Sequence, residues 1–231
     1  MARLTGMSRF RALLAISVSA AVLLTGCSSS GDDKKPSSSA SDLPAAQDVL
    51  SRSAAAMKDV TSVTFALTTE GSPDLPVKKM QGDLLKSGDA QGTATVSLLG
   101  SELEAKFVLV GPDFYYQVAG PYTKRSRSDI TSLVDPSAIL DPAKGVPLLL
   151  TQAQGAQTTG REGDSVKIDA TLPAASVSSL GVKSTADVKG SVWVSEKDSR
   201  LTKVRMEMPG GAVILALSNY NADPSIKAPS Q

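Results

Sequence analysis

The chain has 231 residues, of which 41% are hydrophobic and 20% charged, so it can bury a core and a wholly disordered chain is excluded. It has no histidine and one cysteine, which excludes Ser-His-Asp and Cys-His nucleophile activation, imidazole zinc sites and an intramolecular disulfide. Only four Phe, four Tyr and one Trp are present, so aliphatic side chains must build most of the core. We expect no metal ion, no cofactor and no enzyme activity.

The first 26 residues have the pattern of a secretion signal. Arg3, Arg9 and Arg11 precede an uncharged stretch at 12–26, which is shorter than the roughly 20 residues needed to span a bilayer. The stretch ends in Leu24-Thr25-Gly26-Cys27, which resembles the lipobox of bacterial lipoproteins. In such lipoproteins the cysteine thiol receives a diacylglycerol and the signal peptide is cleaved before it. The alternative is an ordinary secretory signal with an incidental cysteine.

Residues 28–41 carry no large apolar side chain, and we predict that they form a flexible tether with a span of about 20 Å. The sequence thus divides into a signal peptide at 1–26, a lipidated N-terminus and Ser-rich tether at 27–41, and a domain at 42–231. Two acyl chains on Cys27 would hold the protein stably on the cell membrane, facing the outside or a periplasm-like space. Removing residues 1–26 changes the formal charge from +1 to −2, so no nucleic-acid partner is expected.

The domain begins with a predicted helix at 44–58, where apolar residues recur at helical spacing behind Asp42 as N-cap and Pro44 in the first turn. The period then changes to two, which is typical of half-buried strands. Strands are predicted at 63–68, 93–98, 102–109, 114–118, 166–170, 188–194, 201–208 and 213–218. Turn residues separate them at intervals of about ten, which indicates an antiparallel arrangement.

Short helices broken by prolines are predicted between the strands, at 128–142, 146–154 and 173–180. Neither an internal repeat nor a second linker is visible. The sequence therefore predicts a single α+β domain, in which an antiparallel sheet packs against a long N-terminal helix and a group of small helices.

The order of these features resembles the actinobacterial LppX/LprG family of lipid-binding cell-envelope lipoproteins, over residues 42–222. Besides Cys27, the residues that carry the resemblance are Ser62-Val63-Thr64-Phe65, Leu75-Pro76-Val77 before Gly82-Asp83-Leu84, Phe114-Tyr115-Tyr116, the Asp-Pro…Asp-Pro-x-x-Gly segment at 135–145, and Val192-Trp193-Val194. One departure is Tyr220-Asn221-Ala222-Asp223-Pro224, which replaces a glycine-containing turn into a last short strand.

The resemblance implies a half-barrel, in which a strongly curved antiparallel sheet with helices across its concave face encloses a large apolar cavity. It also implies binding of acylated lipids or glycolipids and their transfer across the cell envelope, in one branch together with a major-facilitator transporter. On this basis the candidate cavity wall consists of Val63, Phe65, Leu67, Val96, Leu98, Leu103, Phe107, Leu109 and Val194.

Lys124, Arg125 and Arg127 are head-group candidates, because a basic cluster on a predicted loop could meet a lipid phosphate. A solvated loop is the alternative for these residues, and it applies equally to Lys78 and Lys79.

Two pairs of carboxylates were considered for glycoside hydrolysis. Glu102 and Glu104 share a predicted solvent face, and Asp135 and Asp141 precede prolines as turn formers do, so neither pair favours an enzyme.

The sequence leaves two functions open. One is a lipid or glycolipid carrier. The other is a ligand-free accessory or assembly lipoprotein, for which the interior should be tightly packed.

Overall fold

The computed structural model describes residues 43–98, 100–129 and 136–230, so Cys27, the lipobox and the tether lie outside the described residues. The helices in these ranges are α1 (Ala46–Lys58), α2 (Val146–Gln152) and α3 (Ala174–Ser179), with 3₁₀ helices at Arg127–Asp129 and Pro136–Leu140. The strands are β1 (Ser62–Gly71), β2 (Val77–Leu85), β3 (Ala90–Leu98), β4 (Ser101–Val110), β5 (Asp113–Gln117), β6 (Thr123–Ser126), β7 (Gln154–Glu162), β8 (Ser165–Leu172), β9 (Val188–Ser195), β10 (Leu201–Met208) and β11 (Gly211–Ser218). Within these ranges no helix is long and apolar enough to cross a membrane.

The strands form one antiparallel sheet in the order β6-β5-β4-β3-β2-β1-β11-β10-β9-β8-β7. Most neighbours are also consecutive in the chain, but β1 pairs with β11, so that Phe65 lies opposite Leu217. The sheet is curved and unclosed, because β6 and β7 are edge strands that do not pair with each other. The predicted single α+β domain with a curved antiparallel sheet is confirmed.

Helix α1 confirms the helix that the sequence predicts at 44–58, although it begins at Ala46 rather than in the turn that contains Pro44. Its N-cap is Ala45, which has no side-chain oxygen to cap the first turn. The buried side of α1 is a stripe at helical spacing, formed by Ala46, Val49, Leu50, Ser53, Ala54 and Met57. Packing of this stripe, rather than capping, therefore holds the helix in place.

Strands β2, β6 and β7 were not predicted from the sequence. β6 is exposed at all four positions, and β7 has no large apolar residue, because each lies at an edge of the sheet. The Lys124 and Arg125 side chains in β6 and the irregular register of β7 are typical of edges that resist pairing with another strand. In β2 the adjacent Lys78 and Lys79 interrupt the alternation on which the prediction depends.

Strands β2 and β3 approach each other closely at Gly82 and Gly92, which lie opposite each other, and this glycine pair is called the crease below. A Cβ on Gly82 would lie 1.9 Å from the Gln91 carbonyl oxygen, and one on Gly92 would lie 2.0 Å from the Gln81 carbonyl oxygen. Only hydrogen fits at both positions, so these two strands approach each other in a way that any side chain would prevent. Phe65 and Phe107 flank the glycine pair in the same cross-strand row.

The C-terminal departure from the family pattern has a visible result. Among residues 219–230 no strand follows β11. Asn219 and Asn221 have positive φ and turn the chain, and the Asn221 side chain accepts a hydrogen bond from the Thr61 backbone N–H at 2.9 Å. The segment is therefore tied to the start of β1 instead of extending the sheet.

Candidate functional site

The concave face of the sheet is covered by helices over only part of its width. Helix α1 packs against α2, β7 and β9, while the 3₁₀ helix Pro136–Leu140 packs against β2 and α2. On the concave side of β3, β4 and β5, side chains near the strand ends are half-buried or exposed, as those of Val96 and Leu103 are. Among the described residues, the concave face thus consists of a covered core and an open rim near the β3–β4 hairpin.

The structure brings most of the predicted wall residues together on this face. Val63, Phe65, Leu67, Phe107, Leu109 and Val194 are buried in the main apolar core, and Val96 is half-buried against it. Leu103 pairs with Val96 but is 37% exposed, so it lies on the open rim rather than in an interior wall. The side chain of Leu98 is outside the described part of the chain.

The pocket that the described residues form between the sheet and the helices is far smaller than the large apolar cavity that the family resemblance implies. An enclosed pocket between the sheet and the helices has free space of about 10 Å³ at its centre, room for one water molecule at most. Its lining is wholly apolar and consists of Leu67, Met80, Pro136, Ile139, Leu180, Val182, Met206 and Leu215. Pro136 and Ile139 of the 3₁₀ helix, with Leu180 and Val182 after α3, form the side of the pocket that faces Leu67 and the sheet.

Sequence reasoning missed most of this lining. Met80 lies in β2, which was not predicted, and Leu180 and Val182 lie at or after the end of α3, where no periodicity identifies the buried side. Ile139 is part of the Asp-Pro…Asp-Pro-x-x-Gly segment, which carries the family resemblance but has no local pattern that predicts a wall residue. Ile139 is buried in the 3₁₀ helix because of tertiary packing, which the local sequence does not show.

A continuous apolar row crosses the concave face, and the pocket lies at its middle. Each residue of the row is the direct cross-strand partner of the next, from β9 to β4, in the order Val192, Val204, Leu215, Leu67, Met80, Ala94 and Ala105. The first five side chains are buried, and Ala94 and Ala105 are half-buried. Six strand spacings of about 4.8 Å give the row a length of about 29 Å, close to the thickness of a bilayer's hydrocarbon core.

The open rim and Leu43, the first described residue, lie at opposite ends of the strands. Leu103 and Val118 are 37% and 51% exposed and lie near the β3–β4 hairpin tip. Leu43, the first described residue, lies beside Val194 and Ser199 at the other end. The apolar rim therefore lies at the end of the sheet opposite to the start of the described chain.

The basic cluster does not lie on a loop, as the sequence analysis predicted. Lys124 and Arg125 belong to β6, and Arg127 belongs to a 3₁₀ helix. Lys124 Nζ is 2.8 Å from Asp113 Oδ2, and this hydrogen bond raises the pKa of the lysine ammonium. Arg127 donates to the backbone oxygen of Gly88 at 2.9 Å, so two of the three cations have partners inside the protein.

The carboxylates considered for catalysis are not brought together. Glu102 and Glu104 are exposed on the outer face, as predicted. Asp141 accepts a hydrogen bond from the Ala143 backbone N–H at 2.8 Å, which confirms its role in a turn, and Asp135 lies outside the described ranges. Across the residues that the structure describes, no group of three or more Cys, Asp or Glu side chains could hold a metal ion.

Comparison with known proteins places this fold in a family. The family model described as "LppX_LprAFG lipoprotein" matches residues 45–226, which is most of the chain. The chain belongs to the LppX_LprAFG lipoprotein family. The expected resemblance is thereby confirmed at the level of the family.

Relatives and solved structures agree with the family assignment. The chain is 30% identical over 231 residues to the lipoarabinomannan carrier protein LprG of Mycolicibacterium smegmatis, covering 95% of this chain and 96% of LprG. It is 26% identical over 218 residues to the putative phthiocerol dimycocerosate transporter LppX of Mycobacterium bovis, covering 90% and 92%. The crystal structure of LprF from Mycobacterium bovis has the same fold, with a TM-score of 0.73 and 23% identity, and covers 80% of this chain and 97% of that one.

Proposed function

We propose that this protein is a membrane-anchored lipoprotein without catalytic activity that binds acylated lipids or glycolipids and transfers them across the cell envelope. The observation that carries the proposal is the apolar row that crosses the concave face from β9, past the pocket, to the half-buried Ala94 and Ala105 in β3 and β4. A hydrocarbon chain gains free energy when it leaves water for such a surface, at roughly 25 cal/mol per Å² of apolar area. The names of LprG and LppX, a lipoarabinomannan carrier and a putative lipid transporter, support the same ligand class.

The proposed binding mode follows from how the row is covered. Its length of about 29 Å approaches the thickness of two opposed acyl layers, so a single acyl chain needs only about half of it. Acyl chains lie first against Ala94 and Ala105, where the helices leave the sheet uncovered, and reach the pocket at Met80 by displacing side chains of the 3₁₀ helix. The anchor at Cys27 and an orientation toward the outside are part of this proposal.

One observation favours the second function, a ligand-free accessory or assembly lipoprotein. The enclosed pocket has about 10 Å³ of free space, and a tightly packed interior is what that function requires. The two functions differ in one measurable property, which is whether lipid binds to the concave face.

Native mass spectrometry of the chain from Ser28 onward, which lacks Cys27 but contains every described residue, tests the proposal. We expect co-purifying acylated lipid, or uptake of an offered diacyl phospholipid at a stoichiometry of one or two. The paired variants Ala105→Glu and Lys106→Glu place the same carboxylate on the concave and outer faces of β4. Ala105→Glu should lose most lipid binding, because a carboxylate buried against hydrocarbon costs several kcal/mol, while Lys106→Glu should keep it.

A folded protein that carries no lipid and takes up none would refute lipid binding and favour the accessory function. Equal lipid uptake by the two variants would show that lipid binds elsewhere. Circular dichroism and the thermal midpoint of each variant establish that it is folded.

A further inference from the structure

The single tryptophan of the chain lies on the outer face of the sheet, away from the apolar core. Val192 and Val194 are buried on the concave side, so Trp193 between them points outward. The ring is nevertheless only 5% exposed, because polar side chains from neighbouring strands cover it. The Trp193 ring is therefore covered by charged side chains, among them Lys203 and Lys167, rather than by the apolar core.

The side chains over the ring are held in fixed positions. The Trp193 Nε1–H donates to Glu162 Oε2 at 2.7 Å, and Lys203 Nζ is 3.7 Å from the ring centroid and 3.5 Å from the same carboxylate. Glu162 and Lys203 remain 53% and 37% exposed, so both charged groups still face solvent. The ring is therefore a rigid support that orients one carboxylate and one ammonium toward the outside.

This cluster forms part of a groove of about 760 Å³ across the outer face of β7–β11. Arg205 bonds Glu70 at 2.9 Å and Glu207 at 3.4 Å further along the groove. Gly155 contributes only backbone, and a Cβ there would meet no heavy atom within 4 Å, which leaves room for a ligand. Gln157 and Thr159 on the edge strand β7 add polar side chains to one wall.

The charges that line the groove cancel. Four cations (Lys167, Lys189, Lys203 and Arg205) lie among four carboxylates (Glu70, Glu162, Asp169 and Glu207). A polyanion or a polycation gains no net attraction from this arrangement, because each attractive charge has a repulsive neighbour. A neutral ligand rich in hydroxyl groups does fit, since each hydroxyl can donate to a carboxylate and accept from an ammonium or guanidinium.

We propose that this groove binds a neutral glycan chain. The site is distinct from the proposed lipid site, because the two lie on opposite faces of the sheet. Through it the lipoprotein would contact carbohydrate of the envelope, or of a glycolipid, independently of acyl-chain binding.

The sole tryptophan provides the assay. The chain from Ser28 onward is titrated with α-linked mannohexaose, with cellohexaose and with a sulfated oligosaccharide of similar length, while Trp193 emission is recorded. We expect a saturable change with at least one neutral hexasaccharide below about 10 mM and none with the sulfated one. Isothermal titration calorimetry provides a second readout that does not depend on fluorescence.

Two lysine variants test the assignment of the site. Lys203→Gln should weaken binding about tenfold, the loss of one hydrogen bond from a charged group. Lys106→Gln, on the outer face of β4 beyond the groove, should leave binding unchanged. The proposal is overturned if neither neutral sugar gives a saturable signal, if the sulfated sugar binds as well, or if both variants bind alike. Lipid uptake by the same preparations is measured separately, so failure of the glycan site and failure of lipid binding are distinguishable.

Discussion

Replacing Gly82 by alanine tests whether the crease between β2 and β3 requires a glycine pair. The new Cβ would lie 1.9 Å from the Gln91 carbonyl oxygen, whereas Cβ contacts under 3.0 Å essentially do not occur, so the two strands must separate by about 1 Å. Overpacking of this kind costs about 1–3 kcal/mol, and each ladder hydrogen bond weakened costs about 1 kcal/mol more. Alanine also lowers the conformational entropy of the unfolded chain, which offsets about 0.4–1 kcal/mol of this destabilisation.

We therefore expect Gly82→Ala to lower the free energy of unfolding by about 2–3 kcal/mol. For a domain of this size, that corresponds to a decrease of roughly 5–10 °C in the thermal midpoint. Thermal and urea unfolding of the chain from Ser28 onward, followed by circular dichroism, measure both quantities. Gly92→Ala should behave similarly, because its Cβ would lie 2.0 Å from the Gln81 carbonyl oxygen.

Gly160→Ala is the matched control, because Gly160 also lies in a strand and a Cβ there meets no heavy atom within 4 Å. This variant should be unchanged or more stable by up to about 1 kcal/mol. A Gly82→Ala protein as stable as Gly160→Ala would refute the conclusion that a side chain cannot fit at the crease.

Two further changes have defined outcomes. Ser53→Ala should raise the free energy of unfolding by about 1–2 kcal/mol in urea titrations, because the buried Ser53 hydroxyl has no hydrogen-bond partner in the described structure. Ser51→Ala, exposed on the same helix, should change it by less, and equal gains would contradict this reasoning. Burial raises the pKa of the Tyr220 phenol, so its contribution to stability is complete below about pH 10, where the unfolded phenol is also protonated, and is lost as the pH rises further. When the pH rises from about 8 to about 11, the free energy of unfolding measured in urea should therefore decrease less for Tyr220→Phe than for the parent protein. Equal decreases would contradict a raised pKa for the Tyr220 phenol.

Much of the fold could be predicted because it depends on local sequence patterns. Leu201–Met208 is a strand with the predicted bounds, since its buried and exposed residues follow the strand pattern closely enough to identify it. Helix α1 was predicted for the same reason, from a stripe at helical spacing. β7 could not be predicted, because an edge strand exposed along most of its length has no alternation between apolar and polar residues.

The candidate site was predicted less completely than the fold. Phe65 and Leu67 were predicted as wall residues and lie on the concave side, but the cross-strand partners of Leu67, Met80 and Leu215, were not assigned to the wall. A local pattern shows that a residue is buried, but it does not show which distant residue lies against it. For the same reason the family resemblance implied an open cavity, whereas the packed 3₁₀ helix leaves about 10 Å³ free.

The sequence by itself determined the absence of imidazole chemistry, the lipobox pattern at Cys27 and the α+β class, because composition and local periodicity are properties of short segments. Tertiary structure alone decided the pairing of β1 with β11, the crease at Gly82 and Gly92, the closed interior and the outward position of Trp193. Each of these depends on segments far apart in the chain meeting at distances of a few ångströms. The composition of the 231 residues excluded a wholly disordered chain, and the structure adds that the sheet has two distinct faces. We propose a different ligand for each face.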